Sequence, residues 1–549
     1  AAKIDNQWPA LCNAAGQAFC NASPFLLKDL TSRSKAQTLK ADFIAYLDGF
    51  SPNVQVILDK FKFRNQIDTM VDADILGAVI EKFTSSDINL SPNPIYKDAA
   101  QTILKHPGFD NHGMGTIFEE LIRKFNEENN EEAGEHWTPR DVVELMADLV
   151  FMPIADKIKD ASYSCYDGAC GTGGMLTVAQ DRLLTLAKRR GKEVAIHLFG
   201  QEINPETYAI CTADMLLKGD GEEAEHIMYG STLSDDQNAS RQFDFMLSNP
   251  PYGKSWKTDA EKMGGKKDIL DTRFNAYLSD TTEIQMLPKT SDGQLLFLLN
   301  NISKMKKDTE LGSRIAEVHN ASSLFSGDAG SGESNARRFM FENDLVEAII
   351  ALPESMFYNT SLGTYIWVLT NKKEERRKGK VQLIDATALK SPLKKNMGKK
   401  SCELTPDIQK EILKIFLSME ESDVSKIFSN SDFGFWKITV LHPQLDEDGS
   451  VVVDKKGRPV PDKEKTDTEI IPFTYPGGID GFMDAEVRPY APDAWVDAKK
   501  TQIGYELSFT KYFYKHVTLR SMEDIVADLR GVEAETEGIL NTIVEGRND

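Results

Sequence analysis

The sequence predicts an α/β protein built around a seven-stranded, mostly parallel sheet with an antiparallel hairpin at one edge. Short apolar runs alternate with helical stretches from residue 162 to residue 370. This alternation is typical of parallel strands whose connecting helices cover both faces of the sheet. The last two apolar runs are joined only by the loop 353–363, which favours an antiparallel hairpin at the edge.

The predicted strands are bounded by turn residues and are rich in β-branched and aromatic side chains. They are residues 162–166, 194–200, 226–229, 243–247, 314–318, 345–352 and 364–370. Helices are expected between them, for example at 207–217, 293–305 and 335–342. The polar segment 253–292 is too long for an ordinary connection, and we interpret it as a mobile, basic loop.

Three domains are expected in this chain of 549 residues. Residues 1–135 contain only helical patterns and predict an all-α N-terminal domain. Residues 136–390 hold the sheet, and residues 391–549 form an α+β extension. Apolar positions Met522, Ile525 and Leu529 predict a terminal amphipathic helix, which serves either internal packing or the docking of a partner.

Composition excludes several classes of protein. With 64 basic and 85 acidic residues the formal charge is −21, which repels nucleic-acid phosphate unless a local basic patch or a basic partner compensates. The six cysteines never form a Cys-x-x-Cys motif, so neither a metal site nor a disulfide framework is expected. No apolar run approaches the roughly 20 residues of a membrane span, and no leader peptide is recognised, so we expect a cytoplasmic protein that does not contact a membrane.

A glycine-rich loop follows the first predicted strand. Its sequence is Asp167-Gly168-Ala169-Cys170-Gly171-Thr172-Gly173-Gly174, and Glu202 ends the second strand. Small residues at a helix N-terminus let the backbone approach a ligand. The spacing is not that of a dinucleotide site, because the acid comes about 35 rather than about 20 residues later. An adenosyl ligand without phosphates, such as S-adenosylmethionine, fits better, with Glu202 placed to accept hydrogen bonds from ribose hydroxyls.

A second motif, Asn249-Pro250-Pro251-Tyr252, follows the fourth strand at the same edge of the sheet, where open α/β sheets bind ligands. The Asn249 side-chain oxygen and the Pro250 carbonyl can both accept from an exocyclic amine, and Tyr252 can stack on its ring. We therefore predict that these four residues are catalytic and act on a planar amine. As a bare turn, the tetrapeptide could also be structural.

A Thr-Pro step precedes the glycine loop. Thr138 as N-cap and Pro139 at the first helical position predict a helix through Leu149, and an ordinary helix start accounts for this dipeptide by itself.

Together these motifs resemble the modification (M) subunit of type I restriction–modification systems, a gamma-class DNA adenine-N6 methyltransferase that uses S-adenosylmethionine. The similarity includes Glu135-His136-Trp137-Thr138-Pro139, whose counterpart in the family helps hold the cofactor, and the distant segments 115–121, 352–357 and 503–507. The resemblance implies a Rossmann-like methyltransferase sheet and a site-specific enzyme. It assigns cofactor binding to His136, Trp137, Thr138, the glycine loop and Glu202.

The resemblance also implies DNA, a specificity (S) subunit, a restriction (R) subunit and a second M subunit as partners, and a target adenine flipped out of the duplex. DNA contacts are expected from the basic loop, at Lys254, Lys257, Lys262, Lys266 and Lys267. One position departs from the family. Residues 230–233 (Gly-Ser-Thr-Leu) carry no acid for the cofactor adenine, and we expect Thr232 or a backbone group to replace it.

Three other functions remain open at this point. The tetrapeptide also suits methylation of a protein glutamine or of RNA. A degenerate subunit could scaffold a DNA complex without catalysis. A nicotinamide oxidoreductase is poorly supported by the glycine spacing.

Overall fold

The structure is a computed structural model. It describes residues 7–32, 36–91, 93–109, 114, 117, 121, 124, 138–218, 221–278, 283–358, 360–514 and 521–545. Most of the segment 115–121, which carries part of the resemblance, lies outside the described residues, and so do His136 and Trp137. The chain divides into two compact units, residues 1–507 and residues 508–549.

Helices precede, interrupt and follow the strands. The α-helices of the described residues are α1 (Trp8–Ala15), α2 (Ala36–Asp48), α3 (Pro52–Lys60), α4 (Phe63–Asp72), α5 (Leu76–Thr84), α6 (Arg140–Phe151), α7 (Gly174–Arg189), α8 (Pro205–Lys218), α9 (Glu222–Glu225), α10 (Lys257–Lys262), α11 (Gln294–Ser303), α12 (Ser322–Phe325), α13 (Gly332–Glu342), α14 (Pro406–Ser418), α15 (Gly478–Phe482), α16 (Phe509–Phe513) and α17 (Met522–Glu545). Within the described part of the chain, no helix is long and apolar enough to cross a membrane.

The strands belong to one large sheet and several small ones. They are β1 (Ile95–Tyr96), β2 (Leu104–His106), β3 (Ala161–Asp167), β4 (Val194–Glu202), β5 (Ile227–Tyr229), β6 (Phe245–Ser248), β7 (Asn275–Tyr277), β8 (Glu283–Gln285), β9 (Arg314–Asn320), β10 (Val346–Ala351), β11 (Thr364–Thr370), β12 (Lys380–Asp385), β13 (Ser391–Met397), β14 (Lys400–Glu403), β15 (Ser425–Ser429), β16 (Gly434–Leu441), β17 (Asp467–Pro472), β18 (Trp495–Val496) and β19 (Gln502–Tyr505).

The large sheet is mixed and has nine strands among the described residues, in the order β15-β12-β10-β11-β9-β6-β3-β4-β5. From β9 to β5 neighbouring strands are parallel, as is the β10–β12 pair. Strand β11 is antiparallel to both neighbours, and β15 is antiparallel to β12. The expected α/β class and the antiparallel β10–β11 hairpin are therefore present.

The predicted number of strands and the predicted position of the hairpin at the edge of the sheet were wrong. All seven predicted segments contribute strands, but β12 and β15 add two more beyond β10, so the hairpin is not at the edge. Strand β12 was not predicted because its buried apolar residues, Val381, Leu383 and Ile384, directly follow the charged segment around residues 372–380. Strand β15 lies beyond residue 390, while the predicted domain boundaries near 135 and 390 remain predictions.

The N-terminal region is not purely helical, because β1 and β2 form a short antiparallel pair. Its helices enclose a small apolar core around Leu30, Phe43, Ile67 and Ile80. The prediction of helices only was therefore wrong for residues 95–106.

The segment 253–292 is more ordered than the predicted loop. Helix α10 and the antiparallel β7–β8 pair lie within it, and it buries the side chains of Trp256 and Phe274. The Trp256 indole N–H donates to the Lys289 carbonyl at 3.0 Å. Aromatic burial of this kind anchors a segment that is polar in overall composition.

The second unit contains α16 and α17. The apolar side chains Met522, Ile525, Val526 and Leu529 of α17 are exposed. Their amphipathic spacing agrees with the helix expected near the end of the chain.

The arrangement of the parallel strands determines where polar groups collect. Strand β3 ends at Asp167, β4 at Glu202 and β6 at Ser248. Because these strands are parallel, their carboxyl ends lie at one edge of the sheet.

Candidate active site

A cavity of about 500 Å³ opens at this edge of the sheet. Its lining includes most of the residues that the sequence singled out. These are Thr138, Asp167, Gly168, Cys170, Gly171, Thr172, Gly174, Glu202, Thr232, Asn249, Pro250, Pro251, Tyr252 and Lys254. The structure thus brings the glycine loop and the tetrapeptide together around one space.

The glycine loop turns tightly from β3 into α7. Gly171 and Gly173 have φ of +54° and +85°, and a Cβ on Gly173 would lie 2.7 Å from the Cys211 Sγ. A side chain at Gly173 is therefore excluded by both backbone conformation and space. The loop ends at the N-terminus of α7, where backbone N–H groups lack partners within the helix.

Asp167, at the end of β3, stabilises the glycine loop by hydrogen bonds. Its Oδ1 accepts hydrogen bonds from the Ala169 N–H (3.0 Å) and the Ser248 hydroxyl (2.7 Å). Burial raises the pKa of the Asp167 carboxyl to about 7, although the bond from Ser248 acts in the opposite direction. This carboxyl therefore titrates near neutral pH and ties β3 to the end of β6.

Glu202 is held rigidly at the end of β4. Its Oε2 accepts from the Gly171 N–H at 2.8 Å, and its Oε1 accepts from the Asn204 N–H at 2.7 Å. Each carboxylate oxygen has a second lone pair, and the residue lines the cavity. The side chain is thus oriented and can still accept hydrogen bonds from a ligand hydroxyl. Next to it, the apolar side chain of Ile203 is 58% exposed, although it lines the same cavity.

Asn249 is oriented by Thr138. The Asn249 Nδ2 donates to the Thr138 Oγ1 at 3.0 Å. The Asn249 Oδ1 is buried and accepts no hydrogen bond from any described residue. A buried acceptor without a partner is costly, so this oxygen is suited to an incoming donor.

The prediction that Thr138 caps a helix was wrong. Helix α6 begins at Arg140, with Pro139 in the capping position and no side-chain cap. Thr138 lies one residue too early to cap the helix, and its hydroxyl contacts the tetrapeptide instead.

Tyr252 completes the tetrapeptide at the cavity. Its ring is half-buried, and burial raises the pKa of the phenol to about 12. The side chain is therefore neutral near pH 7 and offers a flat, uncharged surface for stacking.

The expected lysines do not gather around the cavity. Lys254 lines it, whereas Lys257 forms an exposed ion pair with Glu261 at 3.8 Å. Lys262 and Lys267 are exposed, and Lys266 is half-buried. Their role in DNA contact stays a prediction.

Sequence reasoning missed Asp259, which lines the cavity from α10. Its Oδ1 accepts hydrogen bonds from the hydroxyls of Ser231 and Ser234, both at 2.6 Å. The sequence indicated only that Ser231 and Ser234 lie where the family resemblance leads one to expect an acid. It did not indicate that they would bind the Asp259 carboxylate, because α10 lies in the long polar segment 253–292.

The sequence of the chain is similar to those of known DNA methylases. The model of the N-6 DNA methylase family matches residues 109–433. The chain is 28% identical over 331 residues to the MjaIX methylase subunit of a type I restriction enzyme from Methanocaldococcus jannaschii, covering 60% of this chain and 52% of that protein. It is 30% identical over 286 residues to the MpnII methylase subunit from Mycoplasma pneumoniae, covering 50% and 46%. The chain thus spans about half the length of the curated relatives it matches.

A solved structure shares the fold. The type I restriction-modification system methyltransferase subunit from Streptococcus thermophilus aligns with a TM-score of 0.56 at 20% identity, covering 79% of this chain and 82% of that one. The resemblance to type I modification subunits inferred from the motifs is confirmed by the family model and by the two similar sequences. Because the family model matches more than half of the 549 residues, this chain belongs to the N-6 DNA methylase family.

Proposed function

We propose that this chain is the modification subunit of a type I restriction–modification system and transfers a methyl group from S-adenosylmethionine to N6 of an adenine in DNA. The observation that carries this proposal is the unpartnered Oδ1 of Asn249, which is held in the cavity by the bond from its amide to Thr138. An exocyclic amine is the kind of donor that this oxygen lacks.

The cavity suits S-adenosylmethionine, which supplies an electrophilic methyl group on a sulfonium when bound. Glu202 has lone pairs left for ribose hydroxyls, and the exposed Ile203 beside it offers an apolar surface to a purine ring. Gly168 and Gly171 line the cavity, and because glycine has no side chain they do so with backbone atoms. The volume of about 500 Å³ lies within the range of small-molecule sites.

The tetrapeptide orients the target amine. The Asn249 Oδ1 and the Pro250 carbonyl accept the two N6 hydrogens, which directs the nitrogen lone pair away from both acceptors. Tyr252 stacks on the base and keeps it out of the duplex, at a cost of a few kcal/mol for flipping. Catalysis in this scheme comes from positioning and requires no covalent enzyme intermediate.

The proposed division of labour rests on the resemblance to type I modification subunits, and the charge of the chain agrees with it. A chain of formal charge −21 repels DNA phosphate. As the resemblance implies, a specificity subunit reads the target, and a second M subunit and a restriction subunit complete the assembly. Residues 136–390 supply the chemistry. Lys254, Lys257, Lys262, Lys266 and Lys267 contact DNA phosphates, and the apolar stripe of α17 docks a partner subunit.

The test uses the chain assembled with the specificity subunit of the same system. Transfer of a labelled methyl group is measured to duplex DNA, RNA and protein, and binding of S-adenosylhomocysteine is measured by calorimetry. The Asn249→Ala variant should lose transfer to DNA by at least about 100-fold. Its ligand affinity should stay within about threefold of wild type, because Asn249 holds the target rather than the cofactor.

The matched control is Asn13→Ala, which removes an exposed asparagine in α1. Retained transfer by Asn249→Ala contradicts the role of the tetrapeptide. Label in RNA or protein in place of DNA supports the other substrate classes. Ligand binding by the wild type without any transfer supports a scaffold.

A further inference from the structure

The polar groups of the cavity wall that follows β5 already make hydrogen bonds within the chain. The carbonyl of Ser231 accepts from the Asp235 N–H at 2.8 Å. The carbonyls of Thr232 and Leu233 accept from Arg273 Nη1 and Nη2, both at 2.7 Å. The Thr232 hydroxyl donates to the Gly168 carbonyl at 2.5 Å. These groups therefore stabilise the wall, and the expectation that Thr232 or a backbone group replaces the missing acid stays a prediction.

Asp259 brings a carboxylate to this same wall. The hydroxyls of Ser231 and Ser234 fix its Oδ1 from two sides at 2.6 Å. Its Oδ2 accepts no hydrogen bond from the part of the chain that the structure describes, and the residue is half-buried in the cavity lining. One oxygen thus positions the side chain and the other remains for a ligand.

The pairing of β4 with β5 places Ser231, whose hydroxyl binds this carboxylate, near the proposed purine position. Glu202 pairs with Tyr229, so Ile203 and Ser231 follow adjacent strand ends. A nucleoside whose ribose contacts Glu202 and whose ring lies on Ile203 directs one edge of that ring toward the wall at residues 231–233.

We propose that Asp259 accepts a hydrogen bond from the 6-amino group of the cofactor's purine and thereby selects adenine over a 6-oxo purine. This inference rests on the proposed use of S-adenosylmethionine. A carboxylate accepts from an amine in a charge-assisted bond, whereas a 6-oxo group presents an oxygen that the carboxylate repels. The acid comes from the α10 segment rather than from the strand end, and Ser231 and Ser234 hold it in place.

Calorimetric binding of S-adenosylhomocysteine and of S-inosylhomocysteine, its 6-oxo analogue, tests this role. The wild type should prefer the adenosyl ligand by about 10-fold to 100-fold, the range for one hydrogen bond to a charged group. In Asp259→Asn the Ser231 hydroxyl, which already accepts from the Leu233 and Ser234 N–H groups, still favours an oxygen at the Oδ1 position, so the amide N–H faces the ligand. The preference should fall by at least about 10-fold and shift toward the 6-oxo purine.

Two further variants separate recognition from a structural effect. Glu261→Gln removes an exposed carboxylate from the same helix and should keep the wild-type preference. Ser234→Ala removes one of the two bonds that hold Asp259 and should reduce the preference by a smaller factor. Thermal melts of each variant show whether the fold is retained.

The outcomes distinguish this inference from the proposed function. An unchanged preference in Asp259→Asn overturns the role of Asp259 while leaving the proposed cofactor in place. An equal loss of both ligands also overturns it, because that result indicates a structural role. A wild type that binds neither ligand overturns the proposed function and this inference with it.

Discussion

Replacing Thr138 with valine removes the hydroxyl that orients Asn249. That hydroxyl accepts from the Asn249 Nδ2 at 3.0 Å and lies in a half-buried position. Valine has nearly the same shape, so the substitution removes the acceptor with little change of volume. We expect the Asn249 amide to lose its fixed orientation and the target amine to be held less well.

The size of the effect follows from the hydrogen bond. A fully buried donor left without a partner costs about 1–3 kcal/mol, and the half-buried Asn249 amide lies in the lower part of that range. If about 1–2 kcal/mol separates the productive orientation of Asn249 from the others, the rate of methyl transfer falls by about 5-fold to 30-fold. Thr138→Ser keeps the hydroxyl and should restore most of the rate.

Single-turnover methyl transfer and calorimetric binding of S-adenosylhomocysteine distinguish two roles of Thr138. A loss of transfer rate with nearly unchanged affinity supports positioning of Asn249. A loss of affinity with an unchanged rate supports instead the cofactor contact that the family resemblance implies. A rate within about twofold of wild type in Thr138→Val refutes the reasoning, because the bond to Asn249 then has no role in catalysis.

Three other predictions concern the glycine loop and the DNA surface. Burial raises the pKa of Asp167 from its ordinary value of 3.8 to about 7, so the stability of the wild type relative to Asp167→Asn should fall as pH rises from about 4 to about 7. Thermal melts measure this difference in stability, and a difference that does not vary with pH contradicts the prediction. Gly173→Ala should lower the free energy of unfolding by about 1–3 kcal/mol in denaturant titrations. The control Gly174→Ala, whose Cβ meets open space, should lower it much less, and equal effects of the two variants contradict the steric argument. Replacing Lys262 and Lys267 with alanine should reduce the slope of log K for DNA binding against log salt concentration by about one unit for each phosphate that is no longer neutralised. Binding is measured with the proposed specificity subunit present, and an unchanged slope shows that these lysines do not contact DNA.

The sequence predicted those parts of the site that depend on local pattern. The apolar runs located β3, β4 and β6, and parallel pairing then required Asp167, Glu202 and Asn249 to share one edge of the sheet. The glycine loop could be identified because its residue types are dictated by backbone conformation, as Gly173 illustrates.

The parts that could not be predicted depend on contacts between distant segments. Strand β12 joins the sheet by pairing with β10, although a charged stretch precedes it in the sequence. Thr138 has the residue type of a helix cap, and only its proximity to Asn249 shows what its hydroxyl contacts. Asp259 reaches Ser231 across 28 residues, a contact that no local signal encodes.

The most direct test of the central claim is the chemical identity of the methylated atom. Duplex DNA is treated with the chain, the proposed specificity subunit and S-adenosylmethionine bearing a deuterated methyl group, and the DNA is then digested to nucleosides for mass spectrometry. The proposed function predicts the label in N6-methyldeoxyadenosine, and its loss with Asn249→Ala. Label in a methylated cytosine, or label that persists in the Asn249→Ala variant, contradicts it.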